Sequence, residues 1–136
     1  AKKHNSNIHL FGIGADSYVH AMKKHIYALL DLCKKENFPG DRVFLHLARD
    51  GRDNPNDAAL GDFTEIEKER PKRKIGQIAS IFGRYLLDRG KIWERTEKLY
   101  NLLTDENQNF ITDWKAYIKK DYQNKIWDEN SKAIAI

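Results

Sequence analysis

The feature that most constrains this chain is a pattern that recurs three times between Ile8 and Leu103: a short apolar run, a turn dense in polar residues, and an amphipathic stripe at helical spacing. The runs are Ile8-His-Leu-Phe-Gly-Ile13, Val43-Phe-Leu-His-Leu47 and Ile75-Gly-Gln-Ile-Ala-Ser-Ile-Phe82. They are rich in β-branched and aromatic residues and too short for helices, which is the signature of buried strands. Val19, Met22, Ile26, Leu29 and Cys33 predict a helix that starts at an Asp16 or Ser17 cap and runs to about Lys35. Ala59, Phe63 and Ile66 predict a second, opened by Asn54-Pro55 and ended near Arg70-Pro71, because the residue before proline disfavours helical geometry. Trp93, Thr96, Tyr100 and Leu103 mark a third. Three strand–helix units in succession imply a three-layer α/β fold, a mainly parallel sheet with helices on both faces.

Beyond Thr104 the alternation weakens. Ile111, Trp114, Ile118 and Tyr122 give one more helical stripe, and residues 133–136 read as a short edge strand or a loose tail. Residues 1–7 are polar and read as a loose lead-in. At 136 residues the chain is expected to be one domain, large enough to bury a core. The net charge of +4 suits an anionic ligand. Its lysines and arginines are interleaved with acids, however, and the one basic run, Arg70-Pro-Lys-Arg-Lys74, is the kind more often found as a solvated helix end than as a nucleic-acid patch. Cys33 is alone, which excludes a disulfide framework and a cysteine metal site and fits a reducing cytosol. No apolar stretch approaches the roughly 20 residues of a membrane span, and the charged start lacks a signal-peptide core, so the expectation is a soluble, cytoplasmic protein.

In a parallel sheet the three polar loops leave their strands in the same direction and gather along one edge, where ligands bind in α/β folds. His20, Arg52, Asp53, Arg84 and Arg89 lie on those loops. Guanidinium groups grip carboxylates and phosphates in a bidentate fork and stay charged at any relevant pH, so the set suits a small, doubly anionic ligand. An aspartate among them accepts from a hydroxyl or steadies an arginine, and a histidine donates to a phosphate or moves a proton. Each residue also has a plainer reading. Asp50-Gly51 serves as a simple turn, His20 as a structural histidine, Arg84 as a partner stacked on Tyr85, and Arg89 as half of an exposed pair with Asp88 or Glu94, stabilising by less than about 1 kcal/mol. The convergence of three loops favours the functional reading. His4, His9, His25 and His46 show no metal-ligand spacing, and no nucleophile motif is present.

At these same loops the chain resembles the inserted substrate-binding, or phosphotransferase, domain of cofactor-independent phosphoglycerate mutase, over residues 8–103. The family reads Ser-Asp-Gly-Gly-Val-His-Ser-His where this chain has Ala15-Asp-Ser-Tyr-Val-His-Ala-Met22, and Asp-Gly-Arg-Asp-Thr-Pro where it has Asp50-Gly-Arg-Asp-Asn-Pro55. Its Gly-Arg-Tyr, Asp-Arg and Trp-Glu-Arg elements are matched by Gly83-Arg-Tyr85, Asp88-Arg89 and Trp93-Glu-Arg95. The resemblance implies that His20, Arg52, Asp53, Arg84 and Arg89 hold 2- or 3-phosphoglycerate. It also implies a phosphatase-like partner domain, absent here, whose serine takes the phosphoryl group with two divalent metals, usually manganese, in a glycolytic isomerisation. This chain would then carry no catalytic residue, metal or cofactor of its own, and would be inactive alone. Ser17 and Tyr18 replace the family's glycine pair, Met22 replaces its second histidine, and the interval from Arg84 to Arg89 is one residue short. These departures motivate an alternative expectation: a non-catalytic anion-binding or protein-interaction domain that keeps the fold.

Overall fold

The computed structural model describes residues 1–105 and 110–136. In chain order the elements are β1 (Ile8–Ile13), α1 (Lys23–Lys35), β2 (Val43–Arg49), α2 (Ala59–Arg73), β3 (Gln77–Gly83), α3 (Trp93–Thr104), α4 (Trp114–Gln123) and β4 (Ile134–Ala135). Among the described residues they build one four-stranded sheet in the order β1-β2-β3-β4. The first three strands are parallel, with Ile8 opposite Val43 and Arg49 opposite Gly83, and β4 closes the edge antiparallel to β3. The α/β expectation of a mainly parallel sheet covered on both faces therefore holds.

Strands that follow one another in sequence and in space require crossovers of the same hand, which place successive helices on the same face. Accordingly Leu30 and Cys33 of α1 and Phe63 and Ile66 of α2 pack with Val43, Leu45 and Leu47 of β2, joined by Trp114 and Ile118 of α4. The other face of the same strands, Ala48 and Phe82, is covered by Leu99 and Leu102 of α3. A central strand buried on both sides reads as a continuous apolar run, which is why β2 was legible as one. His46, on the α3 side, is hydrogen-bonded through Nδ1 to Ser80 Oγ at 2.7 Å, and burial together with His9 pushes its pKa down to about 4.

Element boundaries depart from the sequence reading for local reasons. The N-cap of α1 is Met22 and not Asp16 or Ser17: the helix starts at Lys23, residues 14–22 form an open loop, and Asp16 Oδ1 reaches across that loop to accept from Lys23 N at 2.6 Å. At α2 the cap is not Asn54: Ala59 N donates to Asp128 Oδ2 at 2.8 Å, a carboxylate brought from the far end of the chain. Pro71 does not stop α2, which continues to Arg73. That last turn is pinned from outside: Arg73 bridges Asp31 and Glu69 and lies over the Tyr27 ring. A proline so near the C-terminus forfeits one helical hydrogen bond, and these contacts hold the turn. The predicted face of α3 is the wrong one: Trp93, Tyr100 and Leu103 are exposed, and Leu99 and Leu102 face the sheet.

Residues 133–136 provide the edge strand, and the polar start is tied down, with Arg42 donating to Asn5 and Asn7. No helix among the described residues is long and apolar enough to cross a membrane.

Candidate functional site

The loops that follow β1, β2 and β3 meet at the carboxyl edge of the sheet. The first loop is anchored from below by Lys23, whose buried ammonium pairs with Asp62 at 2.8 Å and Glu65 at 2.5 Å on α2. Burial opposes the charge there, but those two carboxylates raise its pKa above the ordinary lysine value. The second loop is knitted to the same helix, since Asn54 Nδ2 donates to Asp62 Oδ2 at 2.8 Å. Its turn is folded around Asp50, whose Oδ1 accepts from the main-chain N–H of Arg52 at 3.3 Å and of Asp53 at 3.4 Å. The third loop begins as a 3-10 turn over Arg84–Leu86 and is held by Asp88. That carboxylate accepts from Gly90 N at 3.0 Å, Ile92 N at 2.8 Å and Arg95 Nη1 at 3.2 Å, which outweigh the upward pull of its burial and hold its pKa below the usual range.

On this frame His20, Asp53 and Arg84, one from each loop, come into contact. Arg84 Nη1 donates to Asp53 Oδ2 at 2.6 Å and to Asp50 Oδ1, and Nη2 lies 3.1 Å from His20 Nδ1. His20 Nδ1 in turn lies 2.8 Å from Asp53 Oδ2. When Nδ1 carries a proton, that proton goes to Asp53, and the arginine contact is then a close approach without a hydrogen bond. His20 first, then Arg84, keep the Asp53 carboxyl below the usual aspartate range. Arg84 is buried, which works against its charge, yet Asp53 and Asp50 raise its pKa further. The arrangement is therefore a charged knot that stays ionised, with a half-exposed imidazole at its rim.

The other two predicted residues are placed differently. Arg52 is next to Asp53 in the chain, but its Nε donates to Glu129 Oε1 at 2.5 Å. Arg89 is exposed, and among the described residues no hydrogen bond or ion pair joins it to the knot or to Asp88 or Glu94. Nor does Arg84 stack on Tyr85; Arg95 does, 4.5 Å from the ring centre.

Four residues that organise this edge are outside the predicted site set: Arg49 and Asp50, which the sequence shows only as charges of the turn after the second strand, and Asp128 and Glu129, which it does not single out. Arg49 is fully buried at the end of β2 and donates from Nε to Asp128 Oδ1 at 3.0 Å and from Nη1 to Asp121 Oδ2 at 2.5 Å and Ser131 Oγ at 2.6 Å. Asp128 also accepts from Tyr122 OH at 2.7 Å. A signal was present, since Ile126-Trp127-Asp-Glu-Asn130 repeats the apolar-then-charged pattern of the other three loops. At the first loop, Tyr18 adopts φ +59°, the left-handed region that favours glycine, and its ring is exposed. Among the described residues no cluster of three or more His, Cys, Asp or Glu side chains could hold a metal. The described residues at this edge thus do not fit a divalent cation.

All 136 residues match the family model described as the BPG-independent PGAM N-terminus. The chain is 38% identical over 130 residues to 2,3-bisphosphoglycerate-independent phosphoglycerate mutase of Moorella thermoacetica, covering 95% of this chain and 25% of that protein. It is 40% identical over 130 residues to the Legionella pneumophila enzyme of the same name, covering 94% and 25%. Crystal structures of Leishmania mexicana phosphoglycerate mutase at low cobalt concentration superpose with a TM-score of 0.86 at 24% identity, over 96% of this chain and 25% of that one. At that identity the superposition speaks for the fold. The chain spans about a quarter of the length of the relatives it matches. It belongs to the N-terminal family of 2,3-bisphosphoglycerate-independent phosphoglycerate mutases.

Proposed function

We propose that residues 1–136 form one substrate-holding domain, the half of a cofactor-independent phosphoglycerate mutase that grips 2- or 3-phosphoglycerate while a phosphatase-like part of the protein performs phosphoryl transfer. The observation that carries this reading is the meeting of His20, Asp53 and Arg84 from three separate loops at the edge where parallel sheets bind ligands. Arg84 supplies a charge that does not titrate, Asp53 and Asp50 fix its plane, and His20 offers a donor to a phosphate or glycerate oxygen. Arg52 and Arg89 stand on the flanking turns as the remaining cations. Positioning of this kind lowers the entropy of reaching the transfer geometry, and the covalent step needs a nucleophile from elsewhere. The domain alone is accordingly expected to show no mutase turnover.

Calorimetric titration of the chain with 3-phosphoglycerate tests this. Saturable binding is expected, weakened at least about tenfold by Arg84→Ala and by Arg52→Ala, as loss of a charge-assisted hydrogen bond predicts. Turnover by the chain alone, or binding indifferent to both substitutions, would overturn it. A second reading, a non-catalytic domain that keeps the fold, is favoured by one observation: Tyr18 holds bulk and a left-handed backbone at a position where the family has glycine. It predicts no saturable binding of 3-phosphoglycerate even after Tyr18→Gly.

A further inference from the structure

Arg52 is held from one side. Its Nε donates to Glu129 Oε1 at 2.5 Å, and among the described residues no hydrogen bond engages its terminal amino groups. A guanidinium carries five N–H donors in a planar fork, so a carboxylate on Nε leaves the four N–H bonds of the two terminal amino groups unpaired. Glu129 does not arrive there by chance of surface rotamers. The turn Asp128–Asn130 is threaded between the second and third loops: Asp128 N donates to Asn56 O at 2.9 Å, and Gly83 N donates to Ser131 O at 3.1 Å. A Cβ on Gly51 would sit 2.7 Å from Glu129 N, and one on Gly83 would sit 2.3 Å from Glu129 O, so both glycines are needed for the approach. The buried pair of Arg49 with Asp128 locks the neighbouring residue. The side chains of Arg52 and Glu129 retain 27% and 28% exposure, enough shelter to fix a rotamer while leaving one edge open.

Resting on the anion-holding reading above, we propose that Glu129 is a positioning residue for Arg52: it fixes the guanidinium through Nε so that the terminal amino groups are presented, pre-ordered, to the phosphate or carboxylate of the ligand. Pre-ordering removes the rotamer entropy that a long, free arginine would lose on binding. The opposite role, a counterion that must release Arg52 before an anion can bind, predicts the opposite sign when the carboxylate is deleted.

The experiment is a double-mutant cycle on 3-phosphoglycerate affinity, with Glu129→Ala and Glu129→Gln made in the Arg52 and Arg52→Ala backgrounds. Glu129→Ala is expected to weaken binding about fivefold where Arg52 is present and to change it less than about twofold where it is absent. Glu129→Gln, whose amide oxygen still accepts from Nε, is expected to bind at least as well as wild type, because a negative charge has left the neighbourhood of the anion. In nuclear magnetic resonance spectra the Arg52 Nε–H signal should be slow to exchange in wild type and Glu129→Gln, and broadened or lost in Glu129→Ala. Tighter or unchanged binding in Glu129→Ala, or an equal loss in both backgrounds, overturns the inference and leaves the anion-holding reading standing. Absence of 3-phosphoglycerate binding to the wild type overturns both.

Discussion

Asp53 shows how one carboxylate holds separate loops together at the carboxyl edge of the sheet. It accepts from Arg84 on the third loop and touches His20 on the first, so its charge ties two loops that have no covalent reason to stay together. Its folded pKa lies below the ordinary value of 3.8, chiefly through His20 and then Arg84. A carboxylate depressed in this way contributes stability that is present in full above 3.8 and is lost as the pH falls through the lower, folded value. Urea midpoints measured across acid pH for wild type and Asp53→Asn should therefore differ by a constant amount above about pH 5 and converge below 3.8. A gap that widens with acid would show that the loop is held by something else. His20, Asp53 and Arg84 were legible because short motifs at strand ends carry their own structural address. Glu129 was less so: the apolar-then-charged run that carries it does not say which loop it reaches, its partner is 77 residues away, and the packing of two glycines against its backbone is what places it. The plainer alternative for Arg84, a stack on Tyr85, fails: the guanidinium is a buried partner of Asp50 and Arg95 takes the ring, since sequence proximity carries no information about which of two neighbouring rings or carboxylates a side chain will reach.

At the scale of elements, α3 separates pattern from packing. Trp93, Thr96, Tyr100 and Leu103 recur at helical spacing as cleanly as Leu99 and Leu102 do, and periodicity alone cannot say which stripe faces the sheet. The sheet decides it: Leu99 and Leu102 pack with Ala48 and Phe82, and the larger rings are left outside. The strands β2 and β3 were legible for the converse reason, because a strand buried on both faces has no stripe to misassign. The two faces of α3 make distinct stability predictions. Leu99→Ala should destabilise the chain by about 2–3 kcal/mol, as a buried truncation does, whereas Tyr100→Ala should stay within about 0.5 kcal/mol. Both are read from denaturant midpoints at constant slope, and a large loss on Tyr100→Ala would place that ring in a contact the observed packing does not contain.

At the scale of the whole molecule, the segment beyond α3 returns to the carboxyl edge of the sheet and joins its parts. Asp128 is the joint. Its two oxygens receive the Arg49 Nε at the end of β2, the Tyr122 hydroxyl on α4 and the first main-chain N–H of α2. One carboxylate thus closes a helix start, neutralises a buried cation and fixes the turn that delivers Glu129 to Arg52. Replacing a buried ion pair by apolar groups is often harmless, but removing one member leaves a charge in a medium that cannot solvate it. Asp128→Ala should therefore lower the unfolding free energy by about 3–5 kcal/mol. Most of that loss should be absent when Arg49→Met and Asp121→Asn are combined with it, because the stranded guanidinium is then gone and Asp121, its other buried partner, is not left as an unpaired charge. The remaining deficit in the combined variant measures the cap on Ala59 and the Tyr122 bond, on the order of 1 kcal/mol each. If the single and combined variants were equally unstable, the cost would reside in the cap and hydroxyl alone. The buried arginine would then be satisfied by Asp121 and Ser131 without Asp128.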